Sequence, residues 1–381
     1  MSLTREEIAA LCTAGVRAPS GGNAQPWRVT VTGDRIEVRA AEDRGSFLDV
    51  NGFAAYFAVG CFTENVTVAA DARGLEHTVA VREGTATITV TGRRALGLAG
   101  SGPRSAATRP DGAGLPGRPA SASDRDPGPS DSAVERRVTN RRLHQGPLLP
   151  EDEVRRVTAL AEPPFAVTAV ADPPGKQAVA GALALADVIR MRHRAMFDDM
   201  VREIRWTDGE ARAHGDGLDL RTLDLPAASR ALLPVLRRLP WLRLALPAAR
   251  LGDTARALVH GSSHVCCLSS TDPPTPDTMV AAGRATERLW LAATRAGLAL
   301  HPWTVSTLEL LRLDAFDGEG FTTAERAEVG RMGERLRAAF GLPEAAWPVF
   351  VFRLSSAPPP DVRALRQPWE TFTTIQEVAG D

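Results

Sequence analysis

Hydrophobic and polar positions repeat with two different periods along this chain, and together they predict a mixture of helices and strands. The segment LTREEIAALCTAG, from Leu3, has an acidic first turn and then apolar residues at helical spacing, with Thr4 and Glu7 in capping-box register. Alternating apolar residues predict strands near residues 27–32, 36–40, 77–91, 165–171, 264–269 and 349–354. Helical spacing predicts helices near residues 175–204, 276–296 and 322–340. The sequence therefore predicts an α+β fold.

Two pairs of segments resemble each other across the chain. LPEDEVRRVTALA, from Leu149, matches the opening helix in its acidic first turn and its apolar spacing. GCFTENVTVAADARGL, from Gly60, matches GRATERLWLAATRAGL, from Gly283, in two glycines, Thr, Glu, the paired alanines and the final Leu. Both members of this second pair indicate long helices that end at a glycine C-cap. The chain is therefore predicted to contain the same α+β pattern twice.

The region between the two repeats is predicted to be a linker. Residues 100–132 are so rich in Gly, Pro, Ser and Asp that they cannot bury an apolar face. This predicts an N-terminal repeat over residues 1–99 and a C-terminal repeat over residues 133–381. The chain has 381 residues, of which 44% are hydrophobic, and this is ample for two domain-sized units.

The C-terminal repeat contains an insert, residues 205–252, in which tryptophans and leucines alternate with arginines and prolines. A helical hairpin that covers the core fits this arginine-studded amphipathic pattern. A lid over an active site fits a long irregular segment in a compact unit. Binding to a membrane surface is the third interpretation.

Charge and cysteine content disfavour several classes of protein. The 45 basic and 46 acidic side chains give a net charge of −1, which provides no electrostatic footprint for nucleic acid. Arginines interrupt the apolar runs before they reach bilayer-spanning length, so we expect no membrane partner. The four cysteines show no paired spacing, and Met1 leads into no signal-like run, which predicts a reducing, cytoplasmic location.

The segment HGSSHVCC, from His260, invites a zinc interpretation. Its glycine and serines argue against a helix, and a strand would send Cys266 and Cys267 to opposite faces. We therefore expect a loop that enters a core strand, with the cysteines acting as small hydrophobic residues and no metal. A serine hydrolase is also disfavoured, because no G-x-S-x-G turn follows a strand.

The loop after the first helix carries the first candidate chemistry. It reads RAPSGGNAQPW, from Arg17, with small residues, exposed backbone amides and two carboxamides. Such a loop can lie against a planar heterocycle and hydrogen-bond its edge. An ordinary helix-to-strand turn is the alternative interpretation. The equivalent place in the C-terminal repeat, Glu162 to Phe165, has none of these amides.

The C-terminal repeat begins with an extra short helix, from Ala133, that leads into RRVTNRR at residues 136–142. Arg137 and Arg141 are four residues apart and are predicted to share a helix face, and Thr139 adds a hydroxyl donor. This cluster of donors suits a phosphate group. A solvated basic face is the alternative.

The loop APSGGNAQPW and the motif R-x-T-N-R together resemble the flavin-dependent nitroreductase superfamily, in particular its Acg-like branch, in which two nitroreductase repeats are fused. The resemblance implies a nitroreductase-like fold in which the repeats form a pseudo-dimer around mixed or antiparallel sheets, so that a monomer suffices. It also implies one FMN per chain, between the repeats. The loop would pack on the flavin ring, and R-x-T-N-R would grip the ribityl phosphate.

Two further segments are similar to flavin contacts of this family. In GLALHPWTV, from Gly297, the match implies that Pro302 covers the ring and that amides near Thr304 and Val305 approach flavin N5. Thr304 and Val305 stand where many relatives have Glu and Gly. Arg366-Gln367-Pro368 is similar to an Arg-Arg-Pro phosphate clamp. The residues assigned to FMN in this way are Pro19, Ser20, Gly21, Asn23, Gln25, Arg137, Thr139, Asn140, Arg141, Pro302, Thr304, Val305 and Arg366.

The resemblance implies an FMN-dependent oxidoreductase that works by a ping-pong cycle between NAD(P)H and a small organic acceptor, which includes biosynthetic intermediates. Gln25, Asn23 or nearby amides would stabilise negative charge on the reduced flavin. Two alternatives stay open: a flavin dehydrogenase or oxidase that uses oxygen as acceptor, and a protein that holds FMN without catalysis. No side chain is assigned as a catalytic acid or base.

Overall fold

The computed structural model describes residues 2–94, here the N-terminal unit, and residues 132–377, here the C-terminal unit. The predicted linker lies outside the described residues except for Ser132, which begins a helix. The helices are α1 Arg5–Val16, α2 Phe53–Ala72, α3 Ser132–Arg136, α4 Glu151–Thr158, α5 Pro173–Arg192, α6 Arg194–Glu203, α7 Asp208–His214, α8 Ala227–Arg238, α9 Leu242–Ala245, α10 Ala248–His260, α11 Pro276–Arg295, α12 Thr304–Phe316 and α13 Thr323–Phe340. The strands are β1 Trp27–Thr32, β2 Arg35–Ala40, β3 Leu75–Arg82, β4 Thr85–Arg93, β5 Phe165–Val170, β6 Ile204–Arg205, β7 Leu218–Asp219, β8 His264–Ser270, β9 Ala299–Trp303, β10 Trp347–Ser355 and β11 Thr373–Gln376.

Each unit has a sheet of its own, and the α+β prediction is confirmed. The N-terminal sheet has the order β11-β1-β2-β4-β3, and the C-terminal sheet has the antiparallel order β5-β8-β10-β9. The C-terminal strand β11 pairs in parallel with β1, with Val29 opposite Thr373. The end of the chain therefore adds a strand to the sheet of the other unit, which the sequence analysis did not predict.

Local sequence signals account for several of these elements. The predicted capping box of α1 is confirmed: Thr4 Oγ1 accepts a hydrogen bond from Glu7 N at 3.2 Å, and Thr4 N donates to Glu7 Oε2 at 2.8 Å. The predicted strand at residues 264–269 is confirmed as β8, which is buried along its whole length. Cys267 and Cys266 lie in different hydrophobic clusters, as alternation predicts. The described residues contain no group of His, Cys, Asp and Glu that could hold a metal ion.

The prediction that Arg137 and Arg141 share one face of a helix is wrong. Helix α3 ends at Arg136, and the chain then runs beside β9, where Thr139 forms a parallel bridge with Leu300. The Asn140 amide also donates to Leu300 O at 3.0 Å. Pairing with a strand thus draws this segment out of the helix, and the two arginines are separated.

The predicted helix at residues 175–204 is two helices. Helix α5 ends at Arg192 and α6 begins at Arg194, with His193 between them in an extended conformation. His193 caps the second helix, because its Nδ1 accepts a hydrogen bond from Met196 N at 3.3 Å. The break turns α6 away from the line of α5, a change of direction that helical periodicity does not reveal.

Helices α2 and α11, which contain the second pair of matched segments, pack against each other between the two units. A Cβ atom on Gly60 would lie 2.0 Å from Val280 O of α11, and a Cβ atom on Gly283 would lie 1.9 Å from Phe57 O of α2. The contact is reciprocal, as at an interface between two copies of one subunit. Both backbones can approach this closely because neither glycine has a side chain.

Helix α2 has an apolar composition because it lies in the core of the protein. The prediction that arginines interrupt the apolar runs before bilayer-spanning length is wrong for one segment: Val50–Ala72 contains no arginine and is long and apolar enough to cross a membrane. However, 78% of its most hydrophobic window is buried inside the protein. Its apolar surface is covered by α11, α1 and the N-terminal sheet. Core packing thus accounts for its hydropathy.

Replacing either crossing glycine by alanine should destabilise the protein. We expect Gly60→Ala and Gly283→Ala each to lower the free energy of unfolding by about 1–3 kcal/mol or more, because the new methyl group meets backbone that cannot move alone. Gly181→Ala, in the interior of α5 with open space around it, is the matched control and should be neutral or slightly stabilising. Urea unfolding of the three variants would measure this, and equal stabilities would contradict the crossing.

Candidate functional site

A cavity of about 440 Å³ lies between the two units. Its walls come from the loop after α1, the segment after α3, the end of β9 with the start of α12, and the chain near Arg366. Every residue that the sequence analysis assigned to FMN lines this cavity except Gln25 and Asn140. The structure therefore brings together four segments that are far apart in the sequence.

The loop after α1 has an unusual backbone. Gly22, Asn23 and Gln25 have positive φ angles of 57°, 55° and 54°. Ser20 Oγ accepts a hydrogen bond from Gln25 N at 3.0 Å and stabilises this conformation. Left-handed positions are unfavourable for residues other than glycine, so the loop depends on the contacts around it.

The carboxamides supply those contacts. Asn23 Nδ2 donates to Gly217 O at 2.9 Å and to Leu365 O at 3.0 Å. Gln25 Nε2 donates to Gly215 O at 3.0 Å, and Gln25 Oε1 accepts from Gln367 N at 3.1 Å. Both side chains therefore hold the loop against the insert and the C-terminal segment.

These carboxamides were predicted from the sequence to have a different role, as donors to a reduced flavin. Their donor groups are already engaged with backbone carbonyls, so the structure does not support that role. Asn140 is occupied in the same way, because its Nδ2 donates to Pro358 O at 2.8 Å and its Oδ1 accepts from Arg142 N at 3.1 Å. Among the side-chain polar atoms of Asn23, Gln25 and Asn140, only Asn23 Oδ1 is buried with no hydrogen-bond partner in the described part of the chain.

Four arginines meet at one end of the cavity: Arg17, Arg137, Arg363 and Arg366. Burial, together with the charges of Arg137 and Arg17, lowers the pKa of Arg366 to about 9. Burial also lowers the pKa of Arg363, again with contributions from Arg17 and Arg137. Mutual repulsion of this kind shows that positive charge is concentrated here.

One buried carboxylate offsets part of this charge. Glu287 of α11 is fully buried, and its Oε1 lies 3.0 Å from Arg137 Nε. Burial raises the pKa of Glu287 to about 7, although the charge of Arg137 acts to lower it. Trp290 lies under the same guanidinium, with its ring centre 4.8 Å from Arg137 Cζ. Arg137 is thus held by α11, and the arginine end of the cavity keeps an excess of positive charge.

Arg366 has an unused donor at this end. Its Nη2 donates to Ala18 O at 3.2 Å and its Nη1 donates to Leu365 O at 3.1 Å, while its Nε is buried with no hydrogen-bond partner among the described residues. A buried, unpaired N–H group beside excess positive charge is a good site for a multivalent oxyanion.

Arg141 belongs to a second basic group. It donates to Thr222 O of the insert at 2.9 Å, and burial lowers its pKa to about 10. Burial and the charges of Arg141 and Arg353 hold the pKa of His301 well below its usual value. The His301 ring is therefore neutral, and its Nδ1 accepts a hydrogen bond from Arg353 Nε at 3.2 Å. Arg141 thus lies apart from the arginine end of the cavity, although the sequence predicted that it would bind the phosphate together with Arg137.

The cavity wall also contains carboxylates that were not predicted from the sequence. Asp187 and Arg190 of α5 and Glu203 of α6 line the cavity, and Glu203 Oε2 lies 3.8 Å from Arg190 Nη2. Burial raises the pKa of Asp187 to about 6, and Arg190 lowers it only in part. Asp187 and Arg190 stand three apart on a helix, a spacing that the sequence shares with any solvated ion pair. Nothing local indicates that they face a cavity.

Glu309 of α12 lies behind this wall. It is fully buried, and neither carboxylate oxygen has a hydrogen-bond partner within the described ranges. Burial raises its pKa well above the usual value, with a further increase from the charge of Asp187 and a decrease from Arg190. Burial without a hydrogen-bond partner thus favours the protonated form of this carboxyl group.

Comparison with known proteins supports the N-terminal part of this picture. The nitroreductase family model matches residues 1–52, which include α1 and the loop after it. This confirms the predicted resemblance over that segment. A protein of Mycobacterium tuberculosis (strain CDC 1551 / Oshkosh), named uncharacterized protein MT1398, is 26% identical over 361 residues, which are 93% of this chain and 46% of that protein. The chain thus spans about half the length of this curated relative.

Solved structures of nitroreductases align with part of the chain. The FMN-dependent nitroreductase NfnB from Mycobacterium smegmatis, in complex with NADPH, is 17% identical, covers 64% of this chain and 98% of its own, and has a TM-score of 0.34. A nitroreductase with bound FMN from Desulfitobacterium hafniense DCB-2 is 12% identical, covers 61% and 92% of the two chains, and has a TM-score of 0.32. Scores this low carry no argument about this chain.

The burial of Glu309 makes a prediction about pH. Because its pKa is higher in the folded than in the unfolded protein, its contribution to stability is present in acid and is lost as the pH rises above the ordinary value of 4.5 towards the raised one. Glu309→Gln cannot ionise and should therefore lose less stability than wild type as the pH rises above the ordinary glutamate pKa of 4.5. Glu334→Gln, at an exposed position of α13, is the control. Parallel melting curves for wild type and Glu309→Gln would contradict the assignment.

Proposed function

We propose that this chain is an FMN-dependent oxidoreductase that transfers hydride between NAD(P)H and a small organic acceptor. The observation that carries the proposal is the concentration of guanidinium groups at one end of a cavity between two units. The walls beside it carry the loop and the β9–α12 segment that resemble flavin contacts. The family match over residues 1–52 supports the same cofactor.

The residues present fit FMN. The ribityl phosphate would bind at the arginine end, where Arg366 Nε is an unpaired donor and a dianion would offset the repulsion among the four guanidinium groups. Pro302, Thr304 and Val305 would line the ring. A volume of about 440 Å³ lies within the range of known cofactor sites.

Bound FMN would supply the hydride chemistry, and the chain would supply position and charge. Arg141, a cation with a neutral histidine beside it, would stabilise negative charge on the reduced cofactor, a role that the sequence had suggested for the carboxamides. The insert residues Leu218, Thr222 and Leu223 narrow the cavity on another side. Because the donor and the acceptor would use one cavity in turn, the kinetics would be ping-pong.

One FMN per chain follows from the difference between the units. The arginine end uses Arg17 from the N-terminal unit and Arg137, Arg363 and Arg366 from the C-terminal unit. A second site, with the roles of the two units exchanged, would need the amide-rich loop in the C-terminal unit, where Glu162 to Phe165 stand instead. The chain would act on small molecules as a monomer in which the two units imitate a dimer.

Anaerobic reduction tests the proposal. The protein loaded with FMN should lose its visible flavin absorbance when NADH or NADPH is added, and a small acceptor should restore it after the nicotinamide is removed. Free FMN under the same conditions is the control for direct reduction. Oxidised flavin that persists with both donors would contradict the proposal and would favour a protein that only holds FMN, whereas rapid recovery with oxygen alone would favour an oxidase.

A further inference from the structure

The insert predicted at residues 205–252 divides into two parts in the structure. Leu218, Thr222 and Leu223 lie in the wall of the cavity, as a lid would. Helices α8 and α9, by contrast, contribute no residue to that wall. Leu236 is the one buried residue of α8, so this helix lies on the surface of the protein.

Helices α8 and α9 and the residues between them expose large apolar side chains. The exposed fractions are 38% for Leu232, 42% for Val235, 45% for Leu239, 61% for Trp241 and 59% for Leu244. Leu232 and Val235, three residues apart, share one face of α8, and Leu239 follows directly after the end of this helix. We call these five residues the apolar face. Exposed apolar residues that cluster in this way indicate an interaction surface.

The charged side chains in the stretch of sequence that contains the apolar face have a single sign. No aspartate or glutamate occurs between Asp224 and Asp253, whereas arginine occurs at positions 230, 237, 238, 243 and 250. Arg237 packs over Trp206 at 4.8 Å and Arg243 packs over Phe197 at 5.0 Å, so these two fix the segment to the protein body.

Arg238 and Arg250 are not used in this way. Both are exposed, and within the described ranges neither forms an ion pair with a carboxylate. They remain available to an anionic partner.

We propose that the apolar face binds the surface of an anionic phospholipid bilayer. Tryptophan and leucine enter the boundary between headgroups and acyl chains, while arginines contact lipid phosphates, which is how interfacial helices bind. A second copy of the chain fits less well, because two such faces would bring arginines together with no carboxylate between them. The binding is peripheral and needs no spanning helix.

Vesicle sedimentation tests this proposal on the FMN-loaded chain. The protein should sediment with vesicles that contain phosphatidylglycerol and stay in solution with pure phosphatidylcholine, and added salt should release it. The double variants Trp241→Ser/Leu244→Ser and Arg238→Glu/Arg250→Glu should each weaken binding on the order of tenfold or more. Leu160→Ser, at an exposed leucine outside the insert, is the control and should bind as wild type does.

Three outcomes would overturn the proposal. The first is a failure to bind anionic vesicles at low salt. The second is a Trp241→Ser/Leu244→Ser variant that binds as tightly as wild type. The third is equal competition by soluble polyglutamate, which would show that the surface recognises acidic polypeptides through charge alone. Unchanged melting temperatures would confirm that the variants are folded, as expected for exposed side chains.

Discussion

The close crossing of α2 and α11 is the constraint on which the rest of the structure depends. Gly60 and Gly283 let the two backbones touch, and charged residues close to the crossing on both helices then form ion pairs. Glu64 lies 3.1 Å from Arg284, and Glu287, four residues after Gly283, holds Arg137. The helix contact that joins the units therefore also fixes an arginine of the phosphate site that we propose.

The charged side chains are distributed unevenly along the walls of the cavity. Guanidinium groups outnumber carboxylates where Arg366 and Arg137 meet, whereas the wall formed by α5 and α6 carries the carboxylates Asp187 and Glu203 together with Arg190 and Arg202. A bound phosphate would offset the excess charge at the arginine end. On the α5–α6 wall, burial raises the pKa of Asp187 and of Glu203 and so favours their neutral forms. The cavity is thus suited to an anion at its arginine end.

Local patterns predicted the elements, and tertiary contacts decided the details of the site. The capping box of α1 and strand β8 depend on neighbours in sequence, so they could be predicted. The end of α3 depends on a bridge between Thr139 and Leu300, which are far apart in the sequence. The roles of Gln25 and Asn140 likewise depend on backbone carbonyls that are distant in the sequence, those of Gly215 and Pro358. Burial of Glu309 is equally invisible, because a glutamate on a helix usually faces solvent.

The relative affinity for FMN and riboflavin tests the central claim most directly, because the two differ only in the phosphate. Fluorescence quenching should show FMN bound on the order of 100-fold more tightly than riboflavin, since several charge-assisted contacts are at stake. Arg366→Ala should narrow this ratio, and Arg136→Ala should leave it unchanged. Equal affinities for the two flavins in the wild-type protein would contradict the account.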